Sequence, residues 1–304
     1  MSIHSTPPAP YRILLRRMGA FGDVLDTTPI AERLRAENPD AIIHVLTEHP
    51  SAYQNNPHVD KVVVGNFAEL YPPGHVLHYD RFIDLDMAYE CLLRRVHNID
   101  AYSEVAFGDR KTLKRITYKW PKANFYGDWS KAIVIHPTVS WPQRTMPKKW
   151  WVTLAGELMT KDWEVISIGA SQDYHGIGTT DLVDKLDTPG QVAAIDAAAA
   201  YIGSDCGLAV LAQATNTPVV ALLTMTLPHL CQHERQDQMG WGYFPILSDV
   251  PCVGCSAELD APTTDFRCRY GDNRCVTKFD AAHVARVAEQ AAAWGAEQRK
   301  ARAA

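Results

Sequence analysis

Strand-sized apolar runs alternate with helical patterns in the first part of the chain. We predict helices over residues 30–37, where Ile30, Ala31 and Leu34 share one face, and over residues 90–101. Strands are predicted over residues 12–16, 42–46, 61–64 and 82–85. This order is typical of βαβ units and therefore predicts a parallel sheet covered by helices.

The periodicity is lost between Leu113 and Asp128, where aromatic, basic, proline and glycine residues mix. The same alternation then restarts and ends in a helix over residues 280–299, with residues 225–277 mostly irregular. The second set comprises strands at 132–135, 164–168, 201–202 and 219–223 and helices at 148–159, 189–198 and 207–214. We therefore predict two doubly wound α/β domains, residues 1–125 and 126–304, with a ligand cleft between the carboxyl ends of their strands.

Composition narrows the class of protein. With 304 residues, 46% of them hydrophobic and 21% charged, the chain fits two globular domains. Its net charge of -5 argues against general attraction to nucleic acid or anionic membranes. No apolar run is long enough to span a bilayer, and the first residues lack the pattern of a secretory signal. Seven cysteines indicate a reduced set, so we expect a cytoplasmic protein.

Three loops that follow predicted strands carry the candidate chemistry. The first has the pattern G-x-x-G-D at residues 19–23, and Asp23 in it is either a helix N-cap or a general base for a hydroxyl group. The second, residues 136–144, combines His136, two hydroxyl residues and Arg144, which is either solvated or bound to a diphosphate. In the third, Asp205 either caps a helix or binds a sugar hydroxyl beside a helix N-terminus that favours anions.

Taken together, the three loops resemble glycosyltransferase family 9, the bacterial ADP-heptose:lipopolysaccharide heptosyltransferases. The resemblance is carried by the segments ILLRRMGAFGDVLDTTPIAERL, IVIHPTVSWPQRTMPKKWW and YIGSDCGLAVLAQATNTPVVALL. It implies a GT-B fold, with two Rossmann-like domains that face each other across a cleft. It also implies inverting transfer of a heptose-like sugar from a nucleotide diphosphate donor, ADP-heptose, in lipopolysaccharide or other surface glycoconjugate synthesis.

The resemblance also assigns roles to residues, with the acceptor on the first domain and the donor mainly on the second. Asp23 matches the general base, and no catalytic metal is implied. The donor-binding positions are Gly22, His136, Thr138, Ser140, Arg144, Asp205, Cys206 and Gly207. The expected partners are a nucleotide sugar and a glycan, glycolipid or protein acceptor, with peripheral contact at the inner membrane.

The chain departs from the family pattern at three places. Val210 replaces the family's histidine, Cys206 its serine or threonine, and Met225-Thr226-Leu227 its G-P-T. Three alternatives therefore stay open: transfer to a protein such as an autotransporter, transfer to hydroxylated bases of phage DNA, and non-catalytic binding of a nucleotide sugar. The basic stretch at residues 111–122 is either an anionic-acceptor surface or a solvated linker. The spacing His-x-Cys-x-His at residues 229–233 fits either a metal site or a polar loop.

Four cysteines crowd into one loop-rich segment. Their thiolates suit a structural Zn or Fe ion, and a C-x-x-C pair places two sulfur atoms on one ion. The alternative is reduced thiols or disulfides, because the later spacings are not those of a standard zinc ribbon. The proposed ligands are Cys252, Cys255, Cys268 and Cys275.

Overall fold

Two parallel sheets organise the computed structural model. It describes residues 10–65, 78–92, 95–120, 129–234, 242–258 and 267–303. The predicted boundary at residue 125 lies outside these ranges. No helix in the described ranges is long and apolar enough to cross a membrane.

The first sheet has four parallel strands in the order β3-β2-β1-β4. They are β1 (Arg12–Arg16), β2 (Ile42–Thr47), β3 (Lys61–Val64) and β4 (Arg81–Asp84). The accompanying helices are α1 (Phe21–Leu25), α2 (Thr28–Glu37), α3 (Ala88–Cys91) and α4 (Asn98–Phe107). The central strand β1 is an apolar run because both of its faces are covered, and Ile13, Leu14 and Leu15 are buried.

The single helix predicted over residues 90–101 is wrong: the structure has two helices there. His97 has an extended backbone and caps α4, because its side chain accepts a hydrogen bond from the Ile99 amide. An extended residue breaks the helical hydrogen-bond ladder, although the apolar spacing continues across it. The break allows Glu90 on α3 and Asn98 on α4 to reach the same site.

The second sheet has six parallel strands in the order β10-β9-β8-β5-β6-β7. They are β5 (Ala132–His136), β6 (Glu164–Ser167), β7 (Thr180–Asp181), β8 (Ala200–Ser204), β9 (Val219–Leu223) and β10 (Tyr243–Leu247). The helices are α5 (Lys148–Met159), α6 (Thr188–Ala197), α7 (Gly207–Ala214), α8 (Pro228–Cys231) and α9 (Ala281–Ala303). Helix α9 packs on α5 and on β8, so the end of the chain stays with this sheet.

Strand β10 was not predicted; it lies within residues 225–277, whose described residues are mostly irregular, as expected. Its sequence YFPIL contains Pro245, which speaks against a central strand because proline has no backbone N–H. β10 lies at the edge of the sheet and pairs only with β9 among the described strands, so the proline is tolerated there.

The two sheets meet where α1 packs against α7. A Cβ atom added to Gly207 would lie 2.8 Å from a ring carbon of Phe21 and 3.2 Å from the Gly22 nitrogen. A Cβ added to Gly22 would lie 3.2 Å from the Gly207 Cα. Glycine at both positions therefore lets the two loops approach each other, and this contact closes one side of the cleft.

Candidate active site between the two sheets

A cavity of about 1140 Å³ lies between the carboxyl ends of the two sheets. Loops that follow β1, β4, β5, β6 and β8 supply its walls, as expected for open α/β folds. The structure brings together in this one cavity every base and donor residue predicted from the sequence: Gly22, Asp23, His136, Thr138, Ser140, Arg144, Asp205, Cys206 and Gly207.

Asp23 presents a carboxylate to the cavity from the first turn of α1. Ala20, not Asp23, occupies the N-cap position, so the capping interpretation of Asp23 is wrong. The side chain is 26% exposed, and its Oδ2 accepts a 2.6 Å hydrogen bond from Arg17 Nη2. Asn98 Nδ2 donates to Oδ1 over 3.3 Å. Burial raises the pKa of Asp23 above its usual value, and the Arg17 charge only partly offsets this.

Arg17 holds Asp23 in place and is itself buried. Its Nη2 also lies 3.2 Å from Glu90 Oε1, and its Nη1 donates to the Leu85 carbonyl over 3.1 Å. The Arg17 and Glu90 side chains are 4% and 6% exposed. One guanidinium thus pairs with two carboxylates, so it leaves Asp23 with few rotamers. Sequence reasoning missed this role, because Glu90 lies 73 residues further along the chain.

A second network joins the two sheets beneath Asp23. Asp26 Oδ1 lies 2.6 Å from His233 Nε2, and both side chains are buried. Asn98 Nδ2 donates to Asp26 Oδ2 over 2.8 Å, and the His97 ring meets the His233 ring edge to face. His233 is thus engaged by Asp26, so the predicted His-x-Cys-x-His metal spacing resolves as a polar contact between the two halves.

Arg144 lies on the opposite wall, in the loop after β5. Its Nη1 donates to the Asp205 carbonyl oxygen over 3.0 Å and lies 3.4 Å from Asp205 Oδ2. The guanidinium stands 5.3 Å from the centre of the Trp141 ring, and Ser204 Oγ donates to the Arg144 carbonyl over 2.6 Å. Within the described residues, Arg144 Nε has no hydrogen-bond partner. These contacts hold the cation in position on this wall of the cavity.

His136, the last residue of β5, joins two other side chains on this wall. Its Nδ1 lies 3.4 Å from Cys206 Sγ, and its Nε2 lies 3.3 Å from Asp173 Oδ2. Thr138 Oγ1 donates to Asp173 Oδ1, and the Ala170 amide donates to Oδ2 over 2.6 Å. Asp173 was not predicted; it follows β6 in a loop whose sequence shows no recognisable motif.

This arrangement changes the acidity of both ring and thiol. Burial alone would lower the pKa of His136, but Cys206 and Asp173 raise it to about 9. Burial alone would raise the pKa of the Cys206 thiol, but His136 brings it below its usual value. Both shifts favour an imidazolium paired with a thiolate.

The four clustered cysteines do not line the cavity. Burial, together with the thiols of Cys252 and Cys275, raises the pKa of Cys255 to about 11. All seven cysteines are free thiols. The described residues nevertheless contain no group of three or more His, Cys, Asp or Glu arranged to hold a metal ion. Thiolates suit a soft metal such as zinc or iron, so metal binding by these cysteines stays a proposal.

Comparison with known proteins agrees with this cleft between two Rossmann-like units. The family model described as glycosyltransferase family 9 (heptosyltransferase) matches residues 28–241. No curated protein sequence matches the chain.

Solved structures resemble more than nine-tenths of the chain. A glycosyl transferase family 9 structure from Veillonella parvula DSM 2008 is 14% identical, with a TM-score of 0.67 over 93% of this chain and 97% of that one. The iron-containing dodecameric glycosyltransferase TibC from enterotoxigenic E. coli H10407 is 16% identical, with a TM-score of 0.72 over 93% and 76%. The E. coli heptosyltransferase WaaC with ADP is 14% identical, with a TM-score of 0.61 over 92% and 99%.

The fold and the cleft define a glycosyltransferase of the GT-B class, and the predicted fold class is confirmed. The chain belongs to glycosyltransferase family 9, the heptosyltransferase family, as the sequence resemblance predicted.

Proposed function

We propose that this glycosyltransferase transfers a heptose-like sugar from ADP-heptose to an acceptor hydroxyl, with inversion at the anomeric carbon. The observation that supports it is the placement of the Asp23 carboxylate and the Arg144 guanidinium in the loops of two different sheets around one cavity. An inverting displacement needs a base on the acceptor side and positive charge beside the leaving diphosphate.

In the proposed reaction, Asp23 accepts the proton of the acceptor hydroxyl while its oxygen forms a bond to the anomeric carbon. The bond from that carbon to the diphosphate breaks on the opposite face. Arg144 and the backbone amides at the start of α7 stabilise the negative charge that develops on the diphosphate. The raised pKa of Asp23 makes it a stronger base than an ordinary aspartate, and Arg17 fixes its orientation.

We assign acceptor binding to residues 1–125 and donor binding mainly to residues 126–304. TibC has been solved with ADP-D-beta-D-heptose and WaaC with ADP, which supports an ADP-linked donor. We favour a glycan acceptor of the lipopolysaccharide type over nucleic acid. In the basic stretch, Arg115 is paired with Glu32 and Lys114 with Asp100, so these cations are less available to an anionic polymer.

Metal binding by the cysteine segment stays a proposal beside this one. It is supported by the chemistry of four neighbouring thiols and by the iron in the related fold of TibC. The segment lines no part of the described cavity, so we assign it a structural role only.

The decisive test of the base is Asp23→Asn. The amide keeps the shape of the side chain but cannot accept the proton, so we expect kcat to fall about 10²- to 10⁴-fold. Binding of the donor is expected to change little, because the diphosphate contacts the opposite wall. Turnover is followed by release of nucleoside diphosphate, with the exposed Asp40→Asn as the matched control. Undiminished transfer by Asp23→Asn would rule out the proposed base.

The donor is identified by thermal shifts with ADP-, GDP- and UDP-linked sugars. A ligand that binds only the folded state at 100 times its Kd adds about 2.7 kcal/mol of stability. We expect one class of nucleotide to stabilise the wild type and to lose this effect in Arg144→Ala. If no nucleotide sugar stabilises the wild type, the proposed binding of a nucleotide-sugar donor is refuted.

A further inference from the structure

Cys206, His136 and Asp173 form a chain of thiol, imidazole and carboxylate that the proposed transfer reaction does not use. The sulfur lies 3.4 Å from one ring nitrogen of His136, and the other ring nitrogen lies 3.3 Å from Asp173. In this order a carboxylate orients a histidine, which in turn removes the proton of a nucleophile. All three side chains line the cavity, so a small molecule in the cleft reaches the sulfur.

The surroundings of the sulfur favour a negative charge overall. Cys206 occupies the N-cap position of the eight-residue helix α7, where the helix dipole favours a thiolate. The Tyr201 hydroxyl lies beside the sulfur and stays protonated, because burial raises its pKa well above the usual value. The Asp205 carboxylate opposes ionisation, and it is paired with Arg144.

The other cysteines lack this combination. Cys91 is exposed, whereas Cys231 is buried and its thiol contacts the Leu227 and Pro228 carbonyl oxygens. The other four lie in the cysteine segment outside the cavity, where burial raises the pKa of Cys255 and Cys275. Cys268 has a lowered pKa from backbone amides, so it is the main internal competitor.

We propose that Cys206 is a site of reversible thiol modification in the donor cleft, and that small anionic disulfides of the glutathione type are its reactants. The His136 ring takes the thiol proton, and the thiolate attacks one sulfur of the disulfide. A new sulfur–sulfur bond forms to Cys206 while the old one breaks, and the second half leaves as a thiolate that takes up a proton. No electrons are lost or gained overall, and a reducing thiol reverses the step.

The consequence of modification rests on the proposed function. The adduct fills the part of the cavity between His136 and the start of α7, which is where we place the diphosphate. Modified protein is therefore expected to lose donor binding, and a reducing thiol is expected to restore it. Arg144, at the same wall, would attract the carboxylates of the incoming disulfide.

The test exposes the full chain to glutathione disulfide at pH 7 and measures the adduct at each cysteine over time by peptide mass spectrometry. A thiol of pKa about 8.5 is only about 3% ionised at this pH. After allowance for the lower nucleophilicity of a stabilised thiolate, we expect Cys206 to react about tenfold faster than the exposed Cys91. His136→Asn is expected to remove this advantage, and Asp173→Asn to reduce it in part.

Each outcome bears on the proposal. Equal or faster reaction at Cys91 or Cys268 in the wild type would overturn it, as would an unchanged rate in His136→Asn. Far-ultraviolet circular dichroism checks that each variant is folded before the rates are compared. If both variants unfold, the rates at Cys206, Cys91 and Cys268 in the wild type still test the proposal.

An ADP arm separates the modification site from the proposed function. Protection of Cys206 by ADP supports both. Rapid modification without protection by ADP leaves the modification site standing and contradicts our placement of the donor. Slow modification of Cys206 together with tight binding of ADP contradicts the modification site and leaves our placement of the donor standing.

Discussion

Replacing Arg17 by methionine tests whether the buried guanidinium holds the catalytic wall together. Methionine keeps most of the length and the apolar stem of arginine but removes the charge shared by Asp23 and Glu90. The side chains of Arg17 and Glu90 are 4% and 6% exposed, so water cannot replace the lost partner. The Leu85 carbonyl also loses its donor.

The expected cost follows from this burial. Removal of one partner from a buried ion pair destabilises a protein by about 3–5 kcal/mol, because a charge stays buried without compensation. The unpaired Glu90 accounts for most of this loss of stability, because Asp23 is 26% exposed and partly screened by solvent. The loss of Arg17 also removes the group that lowers the pKa of Asp23. An acid whose pKa is raised in the folded state favours folding at low pH. The loss of stability of Arg17→Met relative to the wild type should therefore shrink as the pH falls from 7 toward 5.

Urea unfolding followed by tryptophan fluorescence measures the effect. The matched control is Arg110→Met, which breaks a pair with Glu104 whose members are 47% and 45% exposed. Such a surface pair contributes about 0–1 kcal/mol. If Arg17→Met costs no more than this control, or if its deficit grows toward pH 5, the argument from buried charge is refuted.

Three further predictions concern packing, ionisation and metal. Gly207→Ala is expected to lower the free energy of unfolding in urea by about 1–3 kcal/mol, because the added Cβ meets Gly22 and Phe21. Gly156→Ala, whose added Cβ meets nothing within 4 Å, should raise it by about 0.5–1 kcal/mol. For the wild type, kcat/KM should rise with pH through a pKa above the usual aspartate value as Asp23 loses its proton, and a profile without this acid limb would contradict our assignment of the base. Metal analysis of purified protein is expected to find Zn or Fe at about one ion per chain, and this metal should be lost in Cys255→Ser. If the wild type contains no metal, the cysteines are reduced thiols and the proposed metal site is refuted.

Much of the fold could be predicted from local patterns. The predicted bounds of β3, α5, α7 and β9 coincide with the observed ones, because the length and spacing of apolar runs along the chain indicate which segments form buried elements. The carboxyl ends of parallel strands meet at one edge, so the loops after β1, β5 and β8 could also be assigned to a common cleft. The resemblance to a family added the roles of Asp23 and Arg144, which remain proposals.

The contacts between side chains in the cleft could not be predicted from residues close together in the sequence. The ion pair of Arg17 with Glu90 joins residues 73 positions apart, and the contacts of His136 with Cys206 and Asp173 join residues 70 and 37 positions apart. The break before α4 and the edge strand β10 were missed because a capping histidine and a strand proline become interpretable only beside their neighbours.

The sequence alone therefore determined the α/β class, most elements and the loops that carry polar side chains, since each depends on residues close together along the chain. Only the tertiary structure decided which carboxylate shares the Arg17 charge, that two glycines bring α1 and α7 into contact, and that a cysteine stands beside a histidine and an aspartate. These pairings depend on how crossover connections place distant strand ends side by side, and the acidity of Asp23, His136 and Cys206 follows from that placement and from burial.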